Sequence, residues 1–338
     1  MFTIKDIAKE AGVSTATVSR VLNNKKVRKD SQENVEAAIK KLDYRPNVIA
    51  QGLIGKTSRA IGVMITSMTN SYYMEITETI EKRVIEQGAM MFLCSTKGDH
   101  LLEKEYLYNL MARRVDGIII IDPSSENHDN GVFKNVAQKI PMVFVHSYSG
   151  YHGFNIVSVD QYLGMRKVMD YLWSEGHRDI AFLRGANGFS YDIKEKCWRD
   201  FLKEKGAVPL EENLVVIADG NSEAAIPLVR DACSNLLKKD RRPSAIFACN
   251  DLMASAVISA AGMNGVKVPD ELTVIGHDNT VQSQYSYPPL STVDLKLKSL
   301  GNTAMDLLAH AMNPEDPEPR KVLLEPDLII RASSSSNK

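Results

Sequence analysis

Cysteine is scarce in this chain. Four occur in 338 residues, Cys94, Cys197, Cys233 and Cys249, and none stands in a C-x-x-C pair. That spacing argues against a disulfide framework or a zinc site and reads as buried reduced thiols. No apolar run approaches the length of a membrane span. Lys5, Asp6, Lys9 and Glu10 interrupt any signal-peptide core at the N-terminus, so a cytoplasmic chain with no membrane partner is expected. The common enzyme fingerprints are missing too. There is no G-x-G-x-x-G after a strand-like run, no Walker A sequence and no G-x-S-x-G elbow. No His, Cys and carboxylate cluster has metal-ligand spacing, and His146, His177 and His277 lack metal-like partners in sequence. No positive case for catalysis, cofactor or metal follows, and a non-enzyme is expected.

What is present is ordinary in bulk and unusual in distribution. The chain is 44% hydrophobic and 25% charged, typical of a globular protein, and long enough for two or three domains. Its formal net charge is only −1, yet residues 1–58 hold eleven Lys and Arg against six Asp and Glu, a net +5, which leaves −6 on the remainder. A basic arm on a slightly acidic body is the electrostatic footprint of a nucleic-acid-binding headpiece.

The basic arm has helical punctuation. Thr3 can cap a helix, with Asp6 closing a capping box. Ile4, Ile7, Ala8 and Ala11 recur at helical spacing. Gly12 stands where a left-handed C-terminal residue is needed, and Ser14 can cap a second helix. Val18, Val21 and Leu22 face inward on that helix, leaving Thr15, Ala16, Thr17, Ser19, Arg20 and Asn23 outward. Two short helices around a tight glycine turn form a helix-turn-helix, which lays its second helix in a DNA major groove. A third helix is expected to start at a box of Asp30 and Glu33, to bury Val35, Ala38, Ile39 and Leu42, and to end at Tyr44–Asn47, where proline disfavours helix.

The body alternates apolar runs with amphipathic stretches. Strands are expected at Ile61–Ile65, Met90–Cys94, Gly117–Ile121 and Met142–Val145. A second series lies at Ile180–Leu183, Leu214–Ile217, Ala245–Ala248 and Leu272–Ile275. Helical patterns fall between them, among them Tyr72–Gln87, Gln161–Ser174 and Asp251–Asn264. Such alternation implies right-handed crossovers and parallel sheets. The expected fold is a small all-α helix-turn-helix headpiece plus an α/β body of two doubly wound parallel-sheet subdomains. Ligands in such folds sit at the carboxyl ends of strands, so a cleft between the subdomains is the expected site, with the loop Gly185–Gly188 lining it. The expected division is 1–46 headpiece, 47–58 linker, 59–331 body and 332–338 a disordered Ser-rich tail.

The whole chain resembles the lactose/galactose repressor (LacI/GalR) family of bacterial transcription regulators. The resemblance rests on TIKDIAKEAGVSTATVSRVLN at Thr3–Asn23, YRPN at Tyr44–Asn47 and GHRDIAFLRG at Gly176–Gly185. It is extended by ACNDLMA at Ala248–Ala254, PDELTVIGHDN at Pro269–Asn279 and PPLSTV at Pro288–Val293. It implies that the α/β body is periplasmic-binding-protein-like, and that the chain is a homodimeric repressor that binds a pseudo-palindromic operator in double-stranded DNA under control of a small molecule, a sugar or sugar derivative. On the recognition helix it places Thr15 and Ala16 against base edges, with Ser19 and Arg20 beside them. Thr3, Ser14, Thr17, Asn23 and Tyr44 become phosphate contacts, although Thr3 and Ser14 serve equally well as helix caps. Asn47–Gly55 aligns with a hinge helix that enters the minor groove, and the family's inserted leucine falls on Leu53, a wedge between base steps.

The resemblance also implies an effector site at Tyr72, Tyr73, His146, Ser190, Lys194, Asn250 and Asp278. Aromatic faces stack on a sugar or base, and Asp278 accepts from hydroxyls. Asn250 matches a cleft residue, while its neighbour Asp251 can cap the following helix. Two positions depart from the family. Lys194 stands where many members have arginine and lacks its bidentate fork, and His146 stands where aspartate is frequent. The competing readings are a soluble small-molecule-binding protein without operator function and an α/β enzyme with a DNA-binding arm.

Overall fold

The computed structural model describes residues 2–22, 25–44, 58–145, 153–316 and 318–334. Two compact units emerge, Met1–Arg59 and Ala60–Lys338.

The first unit is three helices, α1 (Ile4–Ala11), α2 (Thr15–Leu22) and α3 (Lys29–Lys41). The Asp6 carboxylate accepts from the Thr3 N–H and from the Thr3 hydroxyl, both at 2.7 Å, so the expected box forms at α1. Gly12 ends α1 at φ +64°, a conformation in which a Cβ is strained. Ser14 caps α2 by accepting from the Thr17 N–H at 3.1 Å. The box expected at Asp30 and Glu33 does not form. Helix α3 begins two residues earlier, behind Arg28, with no side-chain cap. Ile7, Ala8, Ala11, Val18, Val35 and Ala38 form the core, sealed by half-buried Val21, Leu22, Ile39, Leu42 and Tyr44.

The second unit has two lobes, each built on a six-stranded sheet. Lobe 1 contains β1 (Ala60–Ile65), β2 (Met90–Ser95), β3 (Gly117–Ile121), β4 (Met142–Val145), β5 (Asn155–Val159) and, late in the chain, a further strand, Lys321–Leu324. Lobe 2 contains β6 (Ile180–Gly185), β7 (Leu214–Ile217), β8 (Ala245–Ala248), β9 (Thr273–Asp278) and β10 (Ser291–Asp294). Numbering the late strand β11 and Asp327–Ile329 β12, the orders are β11-β5-β4-β3-β1-β2 and β12-β10-β9-β8-β6-β7. All pairings are parallel except β10 with β12.

Helices α4 (Ser71–Glu86), α5 (His100–Ala112), α6 (Ser125–Asp129) and α7 (Val132–Ala137) belong to lobe 1. Helices α8 (Gln161–Ser174), α9 (Phe189–Glu204), α10 (Ala225–Leu237), α11 (Asp251–Met263) and α12 (Val281–Tyr285) belong to lobe 2, while α13 (Leu297–Ala311) returns to lobe 1. Strands covered on both faces carry unbroken apolar runs, and β1 and β3 are buried along their whole length. Ile61, Val63 and Ile65 share a core with Ile76 and Ile80 of α4, while Met64, Ile118 and Ile120 meet Leu107, Leu110 and Phe133 on the opposite face.

The chain crosses between the lobes three times, after β5, after β10 and after β11. The strands around these crossings, β5, β10, β11 and β12, together with α13, went unassigned in the sequence reading. The strands are short and half polar, as in STVD and DLI, and carry little periodic signal, whereas α13 does repeat its apolar residues at helical spacing and was overlooked. Ion pairs lace the crossings. Lys296 meets Asp294 at 3.0 Å and also Asp327, and Lys167 meets Glu325 at 3.0 Å.

The expected disordered tail is corrected at its start. Ser333 and Ser334 are buried. The Ser333 backbone donates to Pro289 O at 2.9 Å and accepts from the Val274 N–H at 3.0 Å, and its hydroxyl accepts from the Ser291 N–H at 2.8 Å. At the amino ends of β9 and β10, Ser333 satisfies backbone groups that would otherwise be orphaned, so the body extends at least to residue 334.

Helix α13 reaches α4 through Gly301, where an added Cβ would lie 2.8 Å from Thr79 Cβ and 3.0 Å from the Ile76 carbonyl oxygen. Gly301→Ala must push two packed helices apart. A loss of about 1–3 kcal/mol is expected, read as a lower denaturant midpoint of the full chain.

Candidate functional site

Two surfaces carry the expected functional residues. On the headpiece, Thr15, Ala16 and Arg20 of α2 are exposed, and Thr17 and Ser19 are half-exposed. Ser14 Oγ also lies 3.0 Å from Thr17 Oγ1, so these two side chains are occupied in capping α2. Thr3 is likewise tied to Asp6, whose carboxyl is held below its ordinary range by those hydrogen bonds. Tyr44 is half-buried against the headpiece core. Asn23, Asn47 and Leu53 lie outside the described residues, as does His146 of the expected effector set. The exposed face of α2 thus presents small side chains and one guanidinium, a surface able to approach a groove closely and to donate to a base or phosphate.

In the body, the carboxyl ends of both sheets meet at a cleft. A deep chamber of about 30 Å³ is lined by residues of both lobes, including Tyr72, Tyr73, Ser190, Lys194, Asn250 and Asp278. All six described members of the expected effector set therefore converge on one place. The chamber adjoins two wider cavities of about 480 and 890 Å³, the first lined in part by Ala186, Asn187 and Gly188 of the expected glycine loop.

Each side chain is fixed by its element. Asn70 caps α4 by accepting from the Tyr72 N–H at 3.0 Å, which sets the two tyrosines at the cleft mouth of that helix. Their rings meet edge to face, 5.0 Å apart. The Tyr73 hydroxyl donates to Asp122 at 3.0 Å, and the phenol is pushed well above its usual range, chiefly by burial and then by Asp122. Lys194 of α9 is 2% exposed and donates to the Cys249 carbonyl at 3.0 Å, a partner that carries no compensating charge. Asn250, not Asp251, caps α11, accepting from the Met253 N–H at 2.8 Å and donating to Gly220 O at 2.6 Å. Asp251 instead accepts from the Thr280 N–H at 2.8 Å and the Thr280 hydroxyl at 2.9 Å, bracing the turn after β9.

Asp278 ends β9 at φ +120°, a strained conformation for a residue with a side chain. Burial, reinforced by nearby Asp251, pushes its carboxyl well above the carboxylate range, against a counteracting pull from Lys194. Burial also lowers the neighbouring His277, keeping the imidazole neutral. The lobes are bridged by the Val281 N–H donating to Glu75 at 2.7 Å and the Glu223 N–H donating to Thr69 at 3.2 Å.

The sequence reading missed Asp122, Gln161, Tyr191, Asn221 and His277, all lining the chamber. Asp122 follows the apolar run GIIII, and the strand-end rule applied to every strand would have found it. Tyr191, whose hydroxyl donates to Asn221 at 2.7 Å, looked like part of an ordinary amphipathic helix. Among the described residues no group of three His, Cys, Asp or Glu is placed to hold a metal ion, and no helix is long and apolar enough to cross a membrane.

A basic helix-turn-helix and a two-lobed body closing on a polar chamber define a ligand-responsive DNA-binding regulator. Residues 3–47 match the model for bacterial regulatory proteins of the lacI family, and residues 169–334 match that for the periplasmic binding protein-like domain. The chain is 34% identical to the HTH-type transcriptional regulator DegA of Bacillus subtilis (strain 168) over 98% of both chains. It superposes with a TM-score of 0.86, at 28% identity and over 99% of both chains, on a Lac repressor dimer bound to operator and the anti-inducer ONPF. A LacI transcriptional regulator from Alkaliphilus metalliredigens QYMF, complexed with D-xylulofuranose, matches with a TM-score of 0.70 and 25% identity, over 82% of this chain and all of that one. The chain belongs to the LacI family of bacterial transcriptional regulators.

The raised carboxyls of Asp278 and Asp251 bind protons more tightly in the folded protein than in the unfolded chain. Their contribution to stability is full below the ordinary carboxylate range and is lost as pH rises through the raised folded values. The stability of the wild type relative to Asp278→Asn should therefore fall as pH rises above about 4. Thermal melts of the two proteins across that range check it, and a flat difference would refute the sign.

Proposed function

We propose that this protein is a cytoplasmic homodimeric repressor whose operator affinity is set by a sugar or sugar derivative bound between its lobes, and that it acts by binding alone, without catalysis. The observation that carries this reading is the convergence of aromatic, amide, hydroxyl and carboxyl groups from both lobes on one chamber. Acidic groups dominate the surroundings. Asp99, Glu103, Asp122, Glu126 and Asp192 line the adjoining cavity, whereas Lys194 is the cation lining the chamber itself. Such a field disfavours an anionic ligand and suits neutral hydroxyl groups flanked by aromatic rings. The relative from Alkaliphilus metalliredigens in complex with D-xylulofuranose supports the same ligand class.

Residues 1–46 serve as the DNA-binding headpiece, 47–58 as the hinge and the rest of the chain through residue 334 as the sensing body. Thr15, Ala16, Ser19 and Arg20 face base edges. Thr3, Ser14, Thr17, Asn23, Tyr44 and Asn47 position the backbone, and Leu53 wedges the central base step. Tyr72, Tyr73, His146, Ser190, Lys194, Asn250 and Asp278 hold the effector. Two-fold symmetry pairs two headpieces on a pseudo-palindrome, as in the Lac repressor dimer on its operator. Effector binding favours the lobe arrangement it fits best and so shifts the hinge segments, with induction as the expected sign.

The deciding experiment selects binding sites from random duplex DNA and titrates salt against the best one. A pseudo-palindrome should emerge, with affinity falling steeply as salt rises. No preference over random DNA would leave a small-molecule-binding protein without operator function. On the selected site, Leu53→Ala should weaken binding about tenfold, within the few kcal/mol that unstacking a base step involves, in an electrophoretic shift assay. Unchanged affinity would remove the wedge.

A further inference from the structure

Among the described residues, the buried side-chain atoms left without a hydrogen-bond partner are Gln161 Oε1 and His277 Nε2. Both residues line the deep chamber. Gln161 is 6% exposed and His277 is fully buried. Neither belongs to the effector set implied by the family resemblance. They reach the chamber from different elements: Gln161 opens α8 just after the first crossing, and His277 lies near the end of β9. The two residues meet at the first turn of α8. A Cβ on Gly164 would stand 3.7 Å from His277 Nε2, and Gly164 follows Gln161 by three residues, one turn along the same helix face.

An orphaned buried acceptor or donor carries the full desolvation penalty of that group. Two such atoms at one end of a cleft point to a function that needs them. The pair has a defined chemistry. His277 Nδ1 lies 3.4 Å from Asp278 Oδ1, and burial holds that carboxyl toward its protonated form. A protonated carboxyl donates to Nδ1, which leaves the ring proton on Nε2. The pair then offers one donor, Nε2–H, and one acceptor, Gln161 Oε1. A hydroxyl group accepts from the first and donates to the second. A carboxylate or a phosphate oxygen would face the carbonyl lone pairs of Gln161. The chamber volume of about 30 Å³ suits one group of that size.

We propose that Gln161 and His277 together read a single hydroxyl at the deep end of the effector, selecting a sugar that carries it over the corresponding deoxy sugar. The assignment rests on the polyhydroxyl reading of the cleft given above.

The test uses the full chain with D-xylose, D-ribose, D-glucose, D-galactose and cellobiose as probes of thermal stability. For the strongest stabiliser, Kd is then measured by calorimetry alongside its monodeoxy analogues. The wild type should discriminate against one deoxy analogue by about tenfold or more, as a site built around a hydroxyl does. In Gln161→Leu and in His277→Phe that ratio should collapse to within about twofold, and in Gln161→Leu the ligand-free Tm holds or rises because an orphaned acceptor has been removed. An unchanged ratio in either variant overturns the proposal while leaving the sugar reading intact. A ligand-free Tm lowered by several degrees in Gln161→Leu would also overturn it, since that acceptor would then be holding a structural water. If none of these sugars stabilises the wild type, the sugar reading fails first and this assignment falls with it.

Discussion

The body depends on one constraint: the backbone passes between its two sheets at three places, Asp160, Leu295–Lys296 and Glu325–Pro326. Any change in the angle between the lobes must be absorbed there. Lys296 sits in the left-handed region at φ +58°, pinned between Asp294 and Asp327, and Lys167 adds Glu325 and the Pro326 carbonyl. These pairs are partly exposed, and each such pair contributes only about 0–1 kcal/mol. A joint secured by several weak pairs can be biased by the binding energy of a small molecule, because the effector has only to prefer one lobe arrangement over another.

The cleft shows what that preference acts on. Lys194 is buried against a carbonyl rather than a carboxylate, and Asp278 is buried in strained backbone beside a second buried acid. Gln161 and His277 add two unpartnered atoms. A protein selected for stability alone would not keep these groups together. The surrounding polar groups are satisfied: Asn250, Asp251 and Asn70 all serve as caps or braces. Rigid, satisfied residues hold the walls, and the unsatisfied ones face the space between.

Much of this was legible in the sequence because its signals are local. Gly12 and Ser14 are punctuation that a three-residue window can read, and runs such as GIIII mark strands buried on both faces. The strand-end rule brought the cleft within reach, and the family resemblance supplied six of its lining side chains. What escaped is non-local. The crossing strands are too short and polar to show a period, so the way the lobes interlock could not be seen. Asp122 and Tyr191 acquire meaning only when the carboxyl ends of two sheets face each other. The misplaced box at Asp30 and the tail assigned as disordered had another cause, since Ser, Asp and Glu favour several local roles equally and tertiary packing decides among them. Ser333 reads as low-complexity tail and is in fact buried at the amino ends of β9 and β10.

The interlocking has a consequence for biosynthesis. Strand β11 completes lobe 1 and strand β12, with Ser333 behind it, completes lobe 2, and both come from the last stretch of the described chain. The headpiece is translated first and has a core of its own. During synthesis there is therefore an interval in which the DNA-reading part has formed while neither sensing lobe is closed. A nascent chain in that interval lacks the two-lobed clamp through which a sensor would act, and control becomes available only when the final strands are threaded into both sheets.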